Sequence, residues 1–320
     1  MKKIVFILSV FCIVATAMYA QSESLIIKER VAVPKSSFVF NLGYNFPSIS
    51  NALINSNWDK NMGTGMEFGV DYRKQFRTTA MEDDDIVLTP TWFAMGVGLG
   101  ISYFSQSATF NKGSHEFDYK DRDEDPCTVN LTFPETPKES VSLTYLDVPL
   151  YLEIGKPSRV KTSAYLKLGV KASLLVSDKF SGTGTYTSTG DYAAPFYVNL
   201  YDIKELGYTS DPQPCYNNIK PELSPFVIWG SISAGVNIPL NNLEKNKLAS
   251  WIFRIGAKID YSLTPISKAS KDSDLELASQ PLNGVSRFTD PYPFNQSNML
   301  GGDGSKIFSF GLSLGMIYCF

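Results

Sequence analysis

The 320-residue chain has a formal net charge of −3, 43% hydrophobic residues and a mean hydropathy of −0.08. The weakly acidic balance excludes the basic footprint that nucleic-acid binding requires. Apolar residues that are this evenly mixed with polar ones are typical of membrane strands rather than membrane helices. Length alone leaves open one large barrel or two ordinary domains.

The first 20 residues have the three zones of a secretory signal peptide, which predicts Sec-type export. A positively charged start and an apolar run over 4–14 precede small residues that end at Ala20. We expect cleavage after Ala20, with Ala17 as the alternative, followed by a short periplasmic segment over 21–35. Loss of the two N-terminal lysines takes the net charge from −3 to −5. No stretch reaches the ~18 to 20 apolar residues of a stable membrane helix.

Eight later segments alternate between apolar and small or polar residues, which predicts strands with two different faces. In the last segment, large apolar residues from Phe308 to Phe320 share one face. The predicted strands cover 38–46, 66–73, 93–103, 141–154, 165–174, 227–240, 251–261 and 308–320. Long connections alternate with shorter ones, as in a barrel with both termini in the periplasm. We therefore predict one eight-stranded antiparallel up-and-down transmembrane β-barrel over 36–320.

The distribution of aromatic and charged residues favours a membrane barrel over a soluble sandwich, with a soluble lipocalin-like barrel as the structural alternative. Aromatic residues stand at the ends of the apolar faces, where the interfacial girdles of a barrel lie. Because eight strands enclose only enough room for side chains, and buried charges have to be paired, we predict an ion-pair network in the lumen. Its members are Glu67, Asp71, Arg73, Asp147, Glu153, Lys167, Lys171, Arg254, Lys258 and Asp260.

Three of the four cysteines remain in the mature chain, since Cys12 lies in the signal peptide. The predicted topology puts Cys127 and Cys215 on the same side of the membrane. An oxidising compartment permits a disulfide between them or leaves both as thiols. Cys319 has no predicted partner.

The other motifs are better explained as structural features than as binding or catalytic sites, so we predict no catalytic, cofactor-binding or metal-binding residues. The acidic run at 121–125 lacks the glycine and the bidentate carboxylate of a calcium loop. The glycines over 96–100 have no βαβ context and read as small lumen residues. His115, near Ser114 and Asp118, is the one histidine, and it leaves a lipid hydrolase or acyltransferase at the rim as a minor alternative.

Two stretches resemble a known family. The sequence from Tyr145 to Leu152 resembles the aromatic, Leu, acidic, aliphatic, Pro, Leu strand pattern of the PorT-type outer-membrane barrels, and the whole chain looks like the small OmpA/OmpX-like barrels. The last strand resembles the signal that the outer-membrane assembly machinery recognises in its clients, carried by Phe310, Leu312, Leu314, Tyr318 and Phe320. The resemblance implies fold and outer-membrane location, but hardly any activity.

We expect a non-enzymatic outer-membrane protein with a structural, surface-interaction or envelope-assembly and secretion role. A small channel or transporter for ions or small solutes is the alternative. The expected partners are outer-membrane lipid and, during biogenesis, the barrel assembly machinery. Loops over 106–140, 178–226 and 264–306 are the candidates for protein or glycan contacts.

Overall fold

The computed structural model describes residues 36–50, 58–77, 92–111, 113–120, 126–155, 162–192, 199–200, 208–216, 223–240, 251–267 and 305–320. The predicted signal peptide, the predicted periplasmic segment and most of the predicted loop over 264–306 lie outside the described residues. Within these ranges no helix is long and apolar enough to cross a bilayer.

The described residues form one sheet of twelve strands, all of whose pairings are antiparallel. The long strands are β1 (Ser36–Ser50), β3 (Thr64–Arg77), β4 (Trp92–Phe110), β6 (Pro126–Gly155), β7 (Ser163–Tyr192), β10 (Phe226–Pro239), β11 (Trp251–Ser262) and β12 (Lys306–Cys319). The short strands are β2 (Trp58–Lys60), β5 (Ser114–Lys120), β8 (Asn199–Leu200) and β9 (Thr209–Pro214).

The eight long strands pair in a ring. Their order is β1, β3, β4, β6, β7, β10, β11 and β12, and β12 pairs back onto β1 from Ser37 opposite Cys319 to Ser50 opposite Lys306. The Phe320 amide donates a hydrogen bond to the Ser36 carbonyl at 3.2 Å, which extends this last pairing. The first and last strands of the chain are therefore neighbours.

Burial alternates along every long strand and is inverted relative to a soluble protein. Apolar side chains point outward, and Leu99 and Val176 are 63% and 64% exposed. Charged side chains point inward, and Glu153 and Lys171 are 0% and 2% exposed. A continuous apolar band of this size on an outer surface indicates contact with an apolar environment.

Aromatic side chains border the apolar band at both ends. At the end of the ring where β1 begins and β12 finishes, called the terminal end below, the side-chain ring centroids of Trp251 and Tyr318 lie 4.8 Å apart. At the other end, the Phe46 and Phe310 rings stack with centroids 5.1 Å apart. These positions match the predicted interfacial girdles.

Two of the predicted loops are largely strand where the structure describes them. The prediction of loops over 106–140 and 178–226 has to be corrected, because β6 and β7 each run for 30 residues and extend far beyond the ring. Pro134 and Pro137 lie where register shifts interrupt the β6–β7 pairing, and bulges tolerate proline. Gly184 takes up the irregularity with φ of +125°, facing Pro137.

The extension, here called the projecting sheet, consists of β5, β9 and the parts of β4, β6 and β7 over 105–110, 126–142 and 179–192. Its inward face is apolar, since Val129, Leu131 and Phe133 are buried. β5 pairs with one side of β6, and β9 pairs with β7 on the other side of the sheet.

Candidate functional site: the filled interior and the projecting sheet

The centre of the interior at the terminal end of the ring is Glu153 on β6. Its carboxylate accepts hydrogen bonds from Arg73 of β3 at 2.8 Å and from both terminal nitrogens of Arg254 of β11 at 2.6 and 2.9 Å. The Nε atoms of the two guanidinium groups donate to Ser37 and Asn237. Bidentate pairing of this kind gives arginine its strongest carboxylate contacts.

A second group of ion pairs lies farther along the interior. It joins Lys258 to Glu67 (2.6 Å) and Asp260 (3.0 Å), Lys171 to Asp147 (3.5 Å), Asp260 (3.6 Å) and Glu67 (4.0 Å), and Lys167 to Asp71 (3.2 Å). The structure thus brings together all ten charged residues that the alternation pattern assigned to the lumen. Five are acidic and five are basic, so the network has no net formal charge.

Aromatic rings fill the space between the charges. The Lys167 ammonium lies 3.5 Å from the Tyr151 ring centroid, and the Arg254 guanidinium lies 3.9 Å from that of Tyr165. Gly96 faces inward on β4, and a Cβ there would collide with the Tyr151 ring. Gly98 likewise makes room for the Asp71 side chain, and Gly100 for the Phe68 carbonyl, as expected of small lumen residues.

Apolar layers bound the charged network at both ends. The far-side layer, at the terminal end, consists of Val39, Ile252, Ile317 and Cys319. The sheet-side layer, below the projecting sheet, includes Phe104, Val141, Leu143, Tyr145, Trp229 and Ile307. Trp229 is fully buried there, and its ring stacks on Phe104 with centroids 5.5 Å apart.

Within the described residues, the interior keeps a cavity of about 60 Å³ beside Asp147, Tyr151 and Lys171. This is room for about two water molecules at ~30 Å³ each. Several buried polar atoms near this level have no hydrogen-bond partner among the described residues, among them Lys171 Nζ, Asp147 Oδ2 and Trp229 Nε1. The set mixes donors and acceptors, which water can satisfy together.

Two tyrosines hold the β9 segment against the inward face of the projecting sheet. Tyr216 donates a hydrogen bond to Glu139 at 3.2 Å, and its ring covers Gly182 of β7. The Tyr208 hydroxyl lies 3.2 Å from the Cys127 sulfur. Burial raises the pKa of both tyrosines well above the ordinary value, so both hydroxyls stay protonated at physiological pH.

The structure does not join Cys127 to Cys215, and the sheet register explains why. Cys127 lies opposite Tyr192 of β7, whereas the Cys215 amide donates to the Gly184 carbonyl. Eight residues of β7 separate these levels, which is roughly 26 Å at ~3.3 Å per residue. A disulfide needs Cα atoms within about 7 Å. Cys319 lies in the far-side layer.

The remaining singled-out residues are scattered. His115 lies on β5 with its backbone opposite Leu131, and the acidic run at 121–125 lies outside the described residues. Among the described residues, no cluster of three His, Cys, Asp or Glu side chains could hold a metal ion. The predicted assembly-signal residues face outward on β12, where the Phe320 ring centroid lies 5.4 Å from that of Phe38.

Comparison with known proteins identifies the family. The model of a family described as "Outer membrane protein beta-barrel domain" matches residues 19–268. No curated protein matches the sequence. Among solved structures, the chain is similar to Ail, the attachment invasion locus protein of Yersinia pestis, which was crystallised with the heparin analogue sucrose octasulfate. The sequence identity is 12% and the TM-score is 0.26, over 89% of this chain and 99% of that one.

It is also similar to the translocator domain of the autotransporter NalP from Neisseria meningitidis, at 10% identity and a TM-score of 0.21 over 96% of this chain and 94% of that one. The family model covers well over half of the chain. It accounts for the exposed apolar band and the buried charges described above. The chain therefore belongs to the outer membrane protein β-barrel domain family and is a protein of the bacterial outer membrane.

Proposed function

We propose that the eight long strands form a closed up-and-down transmembrane barrel that anchors the projecting sheet at the cell surface and has no catalytic activity. The outward apolar stretch of β4 from Phe93 to Tyr103 supports the spanning role. Its ten residue steps measure roughly 33 Å along the strand, and a tilt of ~40° reduces this to the ~25 Å height of a barrel's apolar band.

The filled interior is the observation that carries the non-conducting part of the proposal. A permeating ion would have to cross the sheet-side layer of Phe104, Tyr145 and Trp229, all of which are buried. Apart from the Tyr145 hydroxyl and the Trp229 indole N–H, such a layer offers no hydrogen-bonding groups in place of the hydration shell of an ion. Below it, every charge already has an opposite charge as neighbour. Both features favour a closed interior over an ion-conducting pore.

The projecting sheet supports a surface role. β4, β6 and β7 run from the ring into the projecting sheet without a break. The membrane-embedded part of these strands therefore fixes the orientation of the projecting sheet. The likeness of the Tyr145 to Leu152 segment to PorT-type barrels favours a part in envelope assembly or secretion. On this proposal the chain is exported by the Sec route, and the assembly machinery reads the outward residues of β12 that end at Phe320.

Single-channel current recording in planar bilayers tests the proposal. Folding is first checked by gel mobility before and after boiling, because a compact barrel runs differently until heated. We expect the wild type to produce no steady unitary conductance. Replacing Trp229 and Tyr145 with alanine should create transient openings, whereas replacing the lipid-facing Trp251 with alanine should not. Steady conductance in the folded wild type would instead establish the channel or transporter alternative.

A further inference from the structure

The outward face of β4, β6 and β7 changes its chemistry at one level. Up to Tyr103 on β4, Leu146 on β6 and Val176 on β7, the outward residues are apolar, and most are large and at least 40% exposed. At the boundary, the Tyr103 hydroxyl donates to Ser142 Oγ at 3.2 Å, and Ser142 lies 3.1 Å from Ser105. Beyond this level, the described part of the projecting sheet carries no exposed large apolar side chain.

A regular array of hydroxyl groups covers the outward face beyond the boundary. Every second residue of β7 from Ser181 to Thr189 is Ser or Thr, and each of these is at least partly exposed. Two of them face residues of the same type across the sheet, with Ser140 opposite Ser181 and Thr132 opposite Thr187. The other three face Lys138, Glu135 and Asn130. We call this surface the hydroxyl face. Its groups repeat about every 7 Å along a strand and 5 Å between strands.

The height of the hydroxyl face decides what can cover it. The distance from Ser177, at the level of Tyr103, to Thr189 is twelve residue steps, roughly 40 Å along the strand and about 30 Å in height at a tilt of ~40°. A phospholipid headgroup layer is only about 5 to 8 Å deep, so it would reach about one row of side chains. A glycolipid, whose saccharide extends far above its acyl chains, can reach the whole face.

We propose that the hydroxyl face docks the saccharide chains of outer-leaflet glycolipid, a reading that rests on the proposed transmembrane anchor. The face continues the lipid-contacting face of the same strands, so its lateral neighbours are the upper parts of the same lipids. Hydroxyl groups both donate and accept hydrogen bonds, which matches the hydroxyl groups of sugars. A protein partner would more typically use exposed aromatic or arginine anchors.

The charges on the hydroxyl face fit the same occupant. Lys179 lies opposite Ser142 in the lowest row, and Lys138 lies opposite Thr183 two rows higher. Both lysines are exposed. Phosphate groups of a glycolipid lie close to its acyl chains, at the level of these lysines. Higher up, the face carries two carboxylates, Glu135 opposite Thr185 and Asp191 opposite Thr128, whose oxygens can accept hydrogen bonds from sugar hydroxyls.

Hydrogen exchange of the folded full chain tests this inference in three bilayers: phospholipid alone, phospholipid with glycolipid truncated to its lipid portion, and phospholipid with full-length glycolipid. We expect amides of β6 over 126–142 and β7 over 179–192 to exchange about tenfold more slowly with the full-length glycolipid only.

A variant with valine at Thr132, Thr185, Thr187 and Thr189 keeps the shape of these side chains and removes four hydroxyl groups. It should lose this protection, and serine at the same positions should keep it.

Equal exchange rates in all three bilayers would overturn the inference, as would full protection in the valine variant. A polypeptide that covers the face in protein purified from cell envelopes, without glycolipid, would overturn it too and would identify a protein partner. None of these results touches the anchor itself, because heat-dependent gel mobility and the conductance recording report on the barrel separately.

Discussion

Replacing Glu153 with glutamine isolates the contribution of the interior network. Glutamine keeps the size of the side chain but removes the charge that Arg73 and Arg254 share at 2.8 and 2.6 Å. Both guanidinium groups are 3% exposed or less, so neither gains water in exchange. Removing one partner of a buried ion pair costs about 3 to 5 kcal/mol, and here two buried guanidinium groups lose the same carboxylate at once. We expect the free energy of unfolding to fall by at least about 3 kcal/mol.

Urea unfolding in lipid vesicles measures this difference, with boiled and unboiled gel mobility as the readout of the folded state. Glu116→Gln is the matched control, since Glu116 is exposed on β5 and surface substitutions usually stay within about 0.5 kcal/mol. Adding Arg254→Gln to Glu153→Gln should recover part of the loss, because the double variant buries one unpaired cation fewer.

A loss of less than about 1 kcal/mol for Glu153→Gln would refute the reasoning. It would mean that water screens the two arginines as it does at a surface, and hence that the interior is open to solvent. That result would also weaken the non-conducting proposal, which depends on a filled ring that is closed to bulk water.

Three other changes test the projecting sheet and the last strand. Gly182→Val would drive a side chain into the Tyr216 ring, whereas Gly113 has open space around it; we expect proteolysis near β9 in the first variant and not in Gly113→Val. Burial raises the pKa of the Cys215 thiol to about 12. In a variant that keeps only this cysteine, alkylation at pH 8 should be at least about a hundredfold slower than after boiling, because little thiolate is present. Deleting Phe320 should lower the yield of heat-modifiable protein in outer-membrane fractions.

The alternation of residue types predicted the strands of the ring and its ten interior charges, because a period of two decides which face a side chain occupies. It could not predict which charges meet. Arg254 and Glu153 are 101 residues apart, and their contact depends on the order and stagger of strands around the ring. Those depend on pairings that a single sequence leaves open.

The sheet-side layer and the projecting sheet were missed for different reasons. Trp229 and Tyr145 share the inward face with polar residues, so the pattern read as an irregular strand rather than as an apolar layer across the interior. In β6, Val129, Leu131 and Phe133 keep the alternation, but Pro134 and Pro137, residue types that ordinarily mark loops, follow directly. Treating proline as compatible with a bulge would have extended the strand to its true start.

The wide sequence separation of the interior ion pairs also bears on how the protein reaches the membrane. Lys258 and Glu67 are 191 residues apart, and β11 supplies cations to acids on β3 and β6. Without β11, Glu153 loses Arg254 and Glu67 loses its closest cation, Lys258, so the four remaining interior acids share only three bases, which opposes transfer from water into lipid. Contacts between distant parts of a chain also form slowly. Charge neutralisation thus delays stable insertion until nearly the whole chain is in place, and a truncated product remains in a form that periplasmic proteases can remove.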